Sequence, residues 1–195
     1  MMRYFFDVDG VVLDFESRYI QALKQYFNLN LPDNYQPQCW YFSDILKEEQ
    51  VMEGWKKFIS SEEFGALSPL VDVDRFNRVF EGLPVHFITN IPPQYLKSRE
   101  TNLLNAGFQF NSVHCGGFLS FDHGPPRKKA DIIKDLLQPE DSVFFMDDHP
   151  DNCVNVHETF PDAEIWLITR PFNTSFSHPA IKRADHWDHI FDRFV

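Results

Sequence analysis

The 195-residue chain has few cysteines, and those it has are isolated. Cys39, Cys115 and Cys153 form neither a close pair nor a Cys-x-x-Cys spacing. This pattern argues against a disulfide framework and against a zinc site built on cysteine ligands. We therefore expect a protein of a reducing compartment, with the cytoplasm as the default.

Long hydrophobic runs and positive charge are also scarce. No apolar run approaches the roughly 20 residues of a membrane-spanning helix. Because a strand-like segment begins close to Met1, we expect no signal peptide. The chain has 18 Lys and Arg residues against 29 Asp and Glu residues, for a net charge of −11. Such a charge opposes binding to a nucleic-acid polymer. We expect neither nucleic acid nor membrane as a partner, and the oligomeric state stays open.

What the chain does contain is a set of apolar runs that end in polar side chains. The run at residues 3–6 ends at Asp7 and Asp9, where Gly10 permits a turn. The run at residues 142–146 ends in the same way, at Asp147 and Asp148. Carboxylates gathered at strand ends need a hard cation, Mg²⁺ by preference, to neutralise them. The two runs therefore predict a metal site.

Two further segments supply groups that suit a phosphate. The apolar run at residues 85–88 ends at Thr89 and Asn90, and Lys129 lies at the start of a helix-like segment. In an open α/β sheet, ligands bind at the carboxyl ends of the strands. We therefore expect the four segments to meet at one edge of the sheet.

In this order, Asp7-x-Asp9-Gly10, Thr89-Asn90, Lys129 and Asp147-Asp148 resemble the four motifs of the haloacid dehalogenase-like (HAD) hydrolase superfamily. The resemblance spans nearly the whole chain. It implies an α/β fold: a doubly wound parallel sheet, Rossmann-like, with a small helical cap inserted after the first strand. Residues 15–68 exceed what a simple crossover needs. We predict that residues 1–14 and 69–195 form the α/β core and residues 15–68 the helical cap.

The resemblance also implies roles for the motif residues. Asp7 would attack phosphorus and form an aspartyl-phosphate, and Asp9 would act as general acid and base. Thr89, Asn90 and Lys129 would bind the phosphate. The metal ligands, with Mg²⁺ as the cofactor, would come from Asp7, Asp9 through its backbone carbonyl, Asp147 and Asp148. The expected activity is a Mg²⁺-dependent phosphohydrolase that acts on a small phosphomonoester.

Some assignments stay open at this stage. Lys128 competes with Lys129 as the motif lysine, although Ile132, Ile133 and Leu136 fall at helix-face spacings that favour Lys129. Either Asp147 or Asp148 could be the direct metal ligand, and the pair could also cap the helix that follows. Asn152 stands at a place that is often acidic in the superfamily.

The substrate is the least determined feature. The stretch Arg170-Pro171-Phe172-Asn173 resembles the deoxyribonucleotidase-like branch of the superfamily, which favours a nucleoside monophosphate. Asn90 departs from that branch, which often has a second hydroxyl there. The alternatives are a phosphoryl transferase, a dehalogenase, which Asp9 disfavours because a halide needs no proton, and a catalytically silent binding or scaffold protein.

Helical periodicity predicts helices at residues 15–27, 72–80, 94–105, 128–137 and 151–159, helix-like segments from residue 43 to 58, and a last helix at 184–195. Strands are expected at residues 112–115, 143–146 and 164–168. Residues 15–68 are rich in aromatic side chains. We expect most of these to pack among themselves and one or two of Trp40, Tyr41 and Phe42 to face the cleft. The scattered histidines, among them His86, His123 and His149, show no ligand spacing and are expected to be structural or exposed.

Overall fold

A computed structural model describes residues 1–40, 42–117 and 126–194, so the predictions for Tyr41 and His123 lie outside the described residues. The described chain contains a six-stranded sheet in the order β3-β2-β1-β4-β5-β6, and each neighbouring pair is parallel. The strands are β1 (Met2–Phe6), β2 (Val85–Thr89), β3 (Ser112–Cys115), β4 (Ser142–Asp147), β5 (Glu164–Ile168) and β6 (Ile181–Ala184).

The α-helices are α1 (Phe15–Phe27), α2 (Glu48–Ile59), α3 (Val73–Val79), α4 (Leu96–Asn105), α5 (Lys129–Leu136), α6 (Pro150–Thr159) and α7 (Asp188–Phe191). Short 3₁₀ turns lie at Glu62–Ala66, Pro93–Tyr95, Pro171–Asn173 and Asp192–Phe194. Across the described residues, no helix is both long and apolar enough to cross a bilayer.

The side chains of alternate residues in the central strands are buried on opposite faces of the sheet. Tyr4 and Phe6 belong to a large cluster that also includes buried residues of α1, α3 and α4. Phe5 lies in a second cluster with Ile133 of α5 and Val156 of α6. Because both faces are covered, the central strands read as continuous apolar runs instead of alternating ones. The α/β, doubly wound parallel fold predicted from the sequence is confirmed.

The strand order places the predicted site. From β1 the chain builds outward through β2 and β3 on one side, and then returns to add β4, β5 and β6 on the other. The order therefore reverses between β1 and β4, and the carboxyl ends of strands on either side of such a reversal form a crevice in which ligands bind. Asp7 follows β1, and Asp147 ends β4.

Some local predictions were wrong. The last helix, predicted at residues 184–195, is shorter, because α7 spans only Asp188–Phe191 and a 3₁₀ turn follows at Asp192–Phe194. The edge strand at Ile181–Ala184, which pairs with β5, was not predicted. The segment before α2 forms turns, since the helix begins only at Glu48. His149, and neither Asp147 nor Asp148, caps α6, and its ring accepts a hydrogen bond from the backbone N–H of Asp151. The division into a core and a cap at residues 15–68 stays a prediction.

Candidate active site

Asp7 and Lys129 meet at the reversal point of the sheet. The backbone N–H of Asp7 donates to the Met146 carbonyl at 2.8 Å, which fixes the end of β1 against β4. Lys129, in the first turn of α5, places its Nζ 2.5 Å from Asp7 Oδ1 and 2.7 Å from Asp147 Oδ2. Asp7, Lys129 and Asp147 are all buried, whereas Lys128 is exposed. Of the two candidate lysines, Lys129 is therefore the one that reaches the carboxylates.

Both carboxylate oxygens of Asp147 accept hydrogen bonds from neighbouring residues. Besides Lys129, its carboxylate accepts the backbone N–H of His149 at 2.8 Å and the side-chain amide of Asn152 at 3.1 and 3.2 Å. Asn152, which stands where an acid is often found in the superfamily, thus donates to a neighbouring acid. These bonds orient Asp147 and leave it little capacity for a further ligand.

Asp148 is in the opposite situation. It is 1% exposed, and its Oδ1 has no hydrogen-bond partner among the described residues. A β-carbon added to Gly10, which has φ +83°, would lie 2.1 Å from Asp148 Oδ2, so only glycine fits beside this carboxylate. A buried, unpartnered carboxylate oxygen is costly unless something neutralises it. Asp148 therefore has the capacity for a cation that Asp147 lacks.

The carboxylates of Asp7, Asp147 and Asp148 can each offer one oxygen within 4.8 Å of the others. Burial raises the pKa of Asp7 to about 8, although Lys129 opposes the shift. Burial, together with the charges of Asp7 and Asp147, also raises the pKa of Asp148 well above its usual range. The positive charges of Lys129 and Arg170 oppose these shifts without cancelling them, and an all-oxygen donor set suits a hard divalent cation. The residues present fit the predicted Mg²⁺.

Lys129 is the local counter-charge of this cluster. Burial would lower the pKa of its ammonium group, but the carboxylates of Asp147 and Asp7 outweigh burial and raise the pKa above its usual value. Lys129 therefore carries its positive charge at neutral pH. A permanent charge beside Asp7 is what an approaching phosphate dianion needs.

The carboxylate of Asp9 contacts two buried residues, Thr89 through a hydrogen bond and Arg99 through an ion pair. Thr89 donates from Oγ1 to Asp9 Oδ2 at 2.9 Å, and Arg99 places its Nη2 2.7 Å from Asp9 Oδ1. Thr89 and Arg99 are both fully buried. Thr89, which the sequence suggested as a phosphate ligand, thus bonds to Asp9, while Asn90 lines the cleft next to it.

A cleft of about 410 Å³ opens above these residues. Its floor contains Asp7, Asp9, Lys129 and Asp148. A second wall is mostly apolar and aromatic. It comes from the chain between β1 and α3 and consists of Phe15, Glu16, Tyr19, Cys39, Trp40, Phe42, Val51, Met52 and Trp55. Both described residues of the segment 40–42 therefore face the cleft. In this wall Glu16 is the only charged residue among those that the structure describes.

Sequence reasoning assigned no structural part to Arg170 and Asn173 and missed Arg99 altogether. Arg170 donates from Nε to the Gly10 carbonyl at 2.7 Å, and Asn173 donates its amide to the Asp148 carbonyl at 2.7 Å. The turn after β5 thus holds the backbones of both acidic motifs. The Arg-Pro-Phe-Asn stretch was noticed only for its resemblance, and an arginine within a helix gives no sign of burial.

No family model and no curated protein matches the chain. Several solved structures are similar to it. The hydrolase SP0104 of Streptococcus pneumoniae, a haloacid dehalogenase-like protein, is 18% identical with a TM-score of 0.62, over 99% of this chain and 98% of that one. A Clostridium difficile protein, provisionally assigned as a phosphatase, is 14% identical with a TM-score of 0.66, over 100% and 98%. YfnB of Bacillus subtilis, a provisionally assigned HAD hydrolase bound to magnesium, is 13% identical with a TM-score of 0.59, over 99% and 98%.

At these identities the likeness establishes the fold. The chain has the fold of the haloacid dehalogenase-like hydrolases, and the match extends over almost the whole of both chains in each comparison.

Proposed function

We propose that the protein is a Mg²⁺-dependent hydrolase of small phosphomonoesters that works through an aspartyl-phosphate on Asp7. One observation carries the proposal: Asp7 lies in the floor of a cleft, in contact with the Lys129 ammonium group and beside the unpartnered carboxylate of Asp148. A carboxylate with fixed positive charge and a cation site next to it can meet a phosphate dianion that it would otherwise repel.

The cation would be held by Asp7, Asp148 and the backbone carbonyl of Asp9. Asp147 would orient Lys129 through the hydrogen bond that it accepts from Nζ. When bound, Mg²⁺ supplies the positive charge that neutralises the phosphate oxygens. The unpartnered Oδ1 of Asp148 supports this assignment, as does the magnesium in the similarly folded YfnB. The bonds that already saturate Asp147 favour Asp148 as the direct ligand.

Two displacements at phosphorus follow from this arrangement. A carboxylate oxygen of Asp7 attacks phosphorus, the bond from phosphorus to the ester oxygen breaks, and Asp9 gives its proton to the leaving alkoxide. Asp9 then takes a proton from water, which attacks the phosphorus and releases inorganic phosphate and the Asp7 carboxylate. Lys129 stays charged throughout, and splitting the reaction in two lowers each barrier.

The presence of Asp9 favours phosphate esters over halides as substrates. An alkoxide is a poor leaving group unless it is protonated, whereas a halide leaves without a proton. Asp9 lies in the cleft floor, and Thr89 and Arg99 hold it there. Holding a proton donor in place would serve no purpose in dehalogenation.

A nucleoside monophosphate is the narrower substrate that we propose. The aromatic wall of the cleft supports it, since Trp40 and Trp55 line the cleft, are partly exposed and offer surfaces on which a planar base can pack. The described residues of that wall include no lysine or arginine, and the other cations that line the cleft, Arg127 and Lys128, are neighbours of Lys129 in the sequence.

The test is Mg²⁺-dependent phosphate release by the wild type and by Asp7→Asn, which keeps the shape of the side chain but removes the nucleophile. The matched control is Asp74→Asn, an equal change at an exposed position of α3. We expect turnover in the wild type and the control and a loss of at least about 1000-fold in Asp7→Asn. Turnover that survives in Asp7→Asn would contradict the aspartyl-phosphate. No turnover on a broad panel would favour a silent binding protein.

The substrate is tested with ribose 5-phosphate beside nucleoside 5′-monophosphates, because the two share the phosphate ester and differ by the base. We expect kcat/KM to be at least about 10-fold higher with the base present, and Trp40→Ala to remove most of that difference. Equal rates for the two substrates would contradict the nucleotide assignment and leave the phosphatase assignment standing.

A further inference from the structure

Arg99 is a buried cation whose place neither the sequence motifs nor the fold explains. Its side chain is fully buried in α4, and it does not line the cleft. A buried arginine is rare unless it is paired, because the guanidinium group must give up its hydration. The pairing of Arg99 therefore indicates what the residue is for.

The guanidinium group joins two parts of the molecule. On one side, Nη2 lies 2.7 Å from Asp9 Oδ1. On the other, Nη1 donates to the Phe64 carbonyl at 2.9 Å and to Asn102 Oδ1 at 3.0 Å, and the group stacks on the Phe64 ring with its central carbon 4.0 Å from the ring centroid. Phe64 lies in the 3₁₀ turn at Glu62–Ala66, close to the end of the inserted segment.

The end of the inserted segment is docked on α4 by further bonds. Asn102 exchanges two hydrogen bonds with the Leu67 backbone, at 2.9 and 3.0 Å, and Ser60 Oγ lies 2.9 Å from the Tyr95 hydroxyl. A β-carbon at Gly65 would come within 2.8 Å of Ser98 Oγ, so the backbone approaches the helix closely here. Arg99 therefore extends from a fixed platform, and its guanidinium group has little freedom.

We infer that Arg99 is a positioning residue that fixes the orientation of the Asp9 carboxylate for proton transfer. The inference rests on the proposed function. Thr89 donates a hydrogen bond to one oxygen of Asp9, and the Arg99 guanidinium group forms an ion pair with the other, so the two residues together restrict the orientation of the carboxylate. Because Arg99 does not reach the cleft, it acts on the substrate only through Asp9. Arginine donates from Nη1 to the Phe64 carbonyl and to Asn102 while Nη2 pairs with Asp9, and the single ammonium group of lysine cannot make all of these contacts.

The test compares two leaving groups that differ in their need for a proton. A residue that acts in proton transfer affects the two reactions unequally, whereas a merely structural residue affects both alike. Ribose 5-phosphate releases an alkoxide that needs a proton, whereas 4-nitrophenyl phosphate releases a phenolate that needs little help. We expect Arg99→Lys to lower kcat for ribose 5-phosphate about 100-fold, and kcat for 4-nitrophenyl phosphate less than about 10-fold, with both KM values nearly unchanged.

The matched control is Ser60→Ala, which removes the docking bond to the Tyr95 hydroxyl but leaves every contact of Arg99 in place. It should lower the melting temperature and leave the ratio of the two kcat values at the wild-type level. Equal losses for both substrates in Arg99→Lys would overturn the inference and leave the phosphatase assignment intact. Absence of turnover in the wild type would instead contradict the proposed function.

Crystal structures of the wild type and Arg99→Lys test the positioning role without turnover. We expect the Asp9 carboxylate to turn away from its wild-type orientation in the variant. An unchanged Asp9 orientation in a folded Arg99→Lys protein would overturn the inference, whatever the activity.

Discussion

At the scale of single residues, Gly10 is required by both its backbone and its neighbour. Its φ of +83° lies in the left-handed region, and Asp148 Oδ2 occupies the space where a β-carbon would stand. An alanine would therefore be strained and would also displace a carboxylate that we assign to the metal. The glycine of the first motif thus serves the second acidic motif, which is remote in the sequence.

We predict that Gly10→Ala lowers the free energy of unfolding by more than about 2 kcal/mol and removes the stabilisation by Mg²⁺. Gly82→Ala is the control, because Gly82 has a φ of +71° but nothing within 4 Å of its added β-carbon. The control should cost only the backbone strain, about 1 kcal/mol, and keep its response to Mg²⁺. Chemical denaturation with and without Mg²⁺ measures both effects. An intact Mg²⁺ response in Gly10→Ala would refute the steric argument.

His86 is buried in β2, away from the cleft. Its Nδ1 is 2.7 Å from Ser112 Oγ, which in turn is 2.6 Å from His114 Nε2, and its ring stacks on Phe5. Burial, together with Arg3 and His114, lowers the pKa of His86 from 6.5 to about 4. The neutral ring is therefore the form that fits the fold.

The depressed pKa makes His86 a source of acid sensitivity. Between pH 6.5 and about 4 the unfolded chain binds this proton and the folded chain does not, so stability falls as the pH is lowered through this range. We predict a loss of about 1 kcal/mol from this residue between about pH 7 and about pH 5, and a flatter profile in His86→Gln. Urea unfolding at both pH values is the measurement. Parallel profiles for wild type and variant would show that His86 does not contribute.

At the scale of elements, β6 supports the site from a distance through Arg183. Its guanidinium group donates to Thr169 Oγ1, to the side-chain and backbone oxygens of Asn173, and to the Phe176 carbonyl, at 2.6 to 3.2 Å. Asn173 in turn holds the Asp148 carbonyl. The edge strand therefore fixes the turn after β5, and that turn fixes the second acidic motif.

We predict that Arg183→Lys lowers the free energy of unfolding by about 1–3 kcal/mol, because the ammonium group cannot reach all four acceptors. It should also weaken Mg²⁺ binding, measured by titration calorimetry. Lys182→Gln on the same strand is the control, since Lys182 is exposed and its ion pair with Glu164 should be worth less than about 1 kcal/mol. If Arg183→Lys bound Mg²⁺ with the same affinity as the control, β6 would have no role in supporting the metal site.

At the scale of the whole molecule, the sequence predicted the central strands and the meeting of the four motifs. Apolar runs that end in Asp7, Thr89 and Asp147 are local signals, and the rule for parallel sheets brings their ends together. The edge strand β6 was not predicted, because Ile181–Ala184 is short and two of its four residues are charged. The buried position of Arg99 was not predicted either. Its partners, Asp9 and Phe64, are distant in the sequence, and an arginine in a helix usually faces solvent.

The charge balance of the molecule couples the site to global stability. The chain carries a net charge of −11, and it buries Asp7, Asp147 and Asp148 around a single lysine. A cation that binds only the folded state must stabilise it, by about 2.7 kcal/mol when its free concentration is roughly 100-fold above Kd. We predict that Mg²⁺ raises the melting temperature of the wild type more than Na⁺ does at equal ionic strength.

Asp148→Asn separates specific binding from general screening. Removing one buried, unpartnered charge should raise the melting temperature of the metal-free protein, because that charge is costly to bury. The same change should abolish the extra stabilisation by Mg²⁺, since the free carboxylate oxygen is gone. Thermal unfolding of both proteins in Mg²⁺ and in Na⁺ measures the two effects together. If Mg²⁺ stabilised Asp148→Asn as much as the wild type, the cation would act on the surface charge of the molecule, and the buried carboxylates would not be its site.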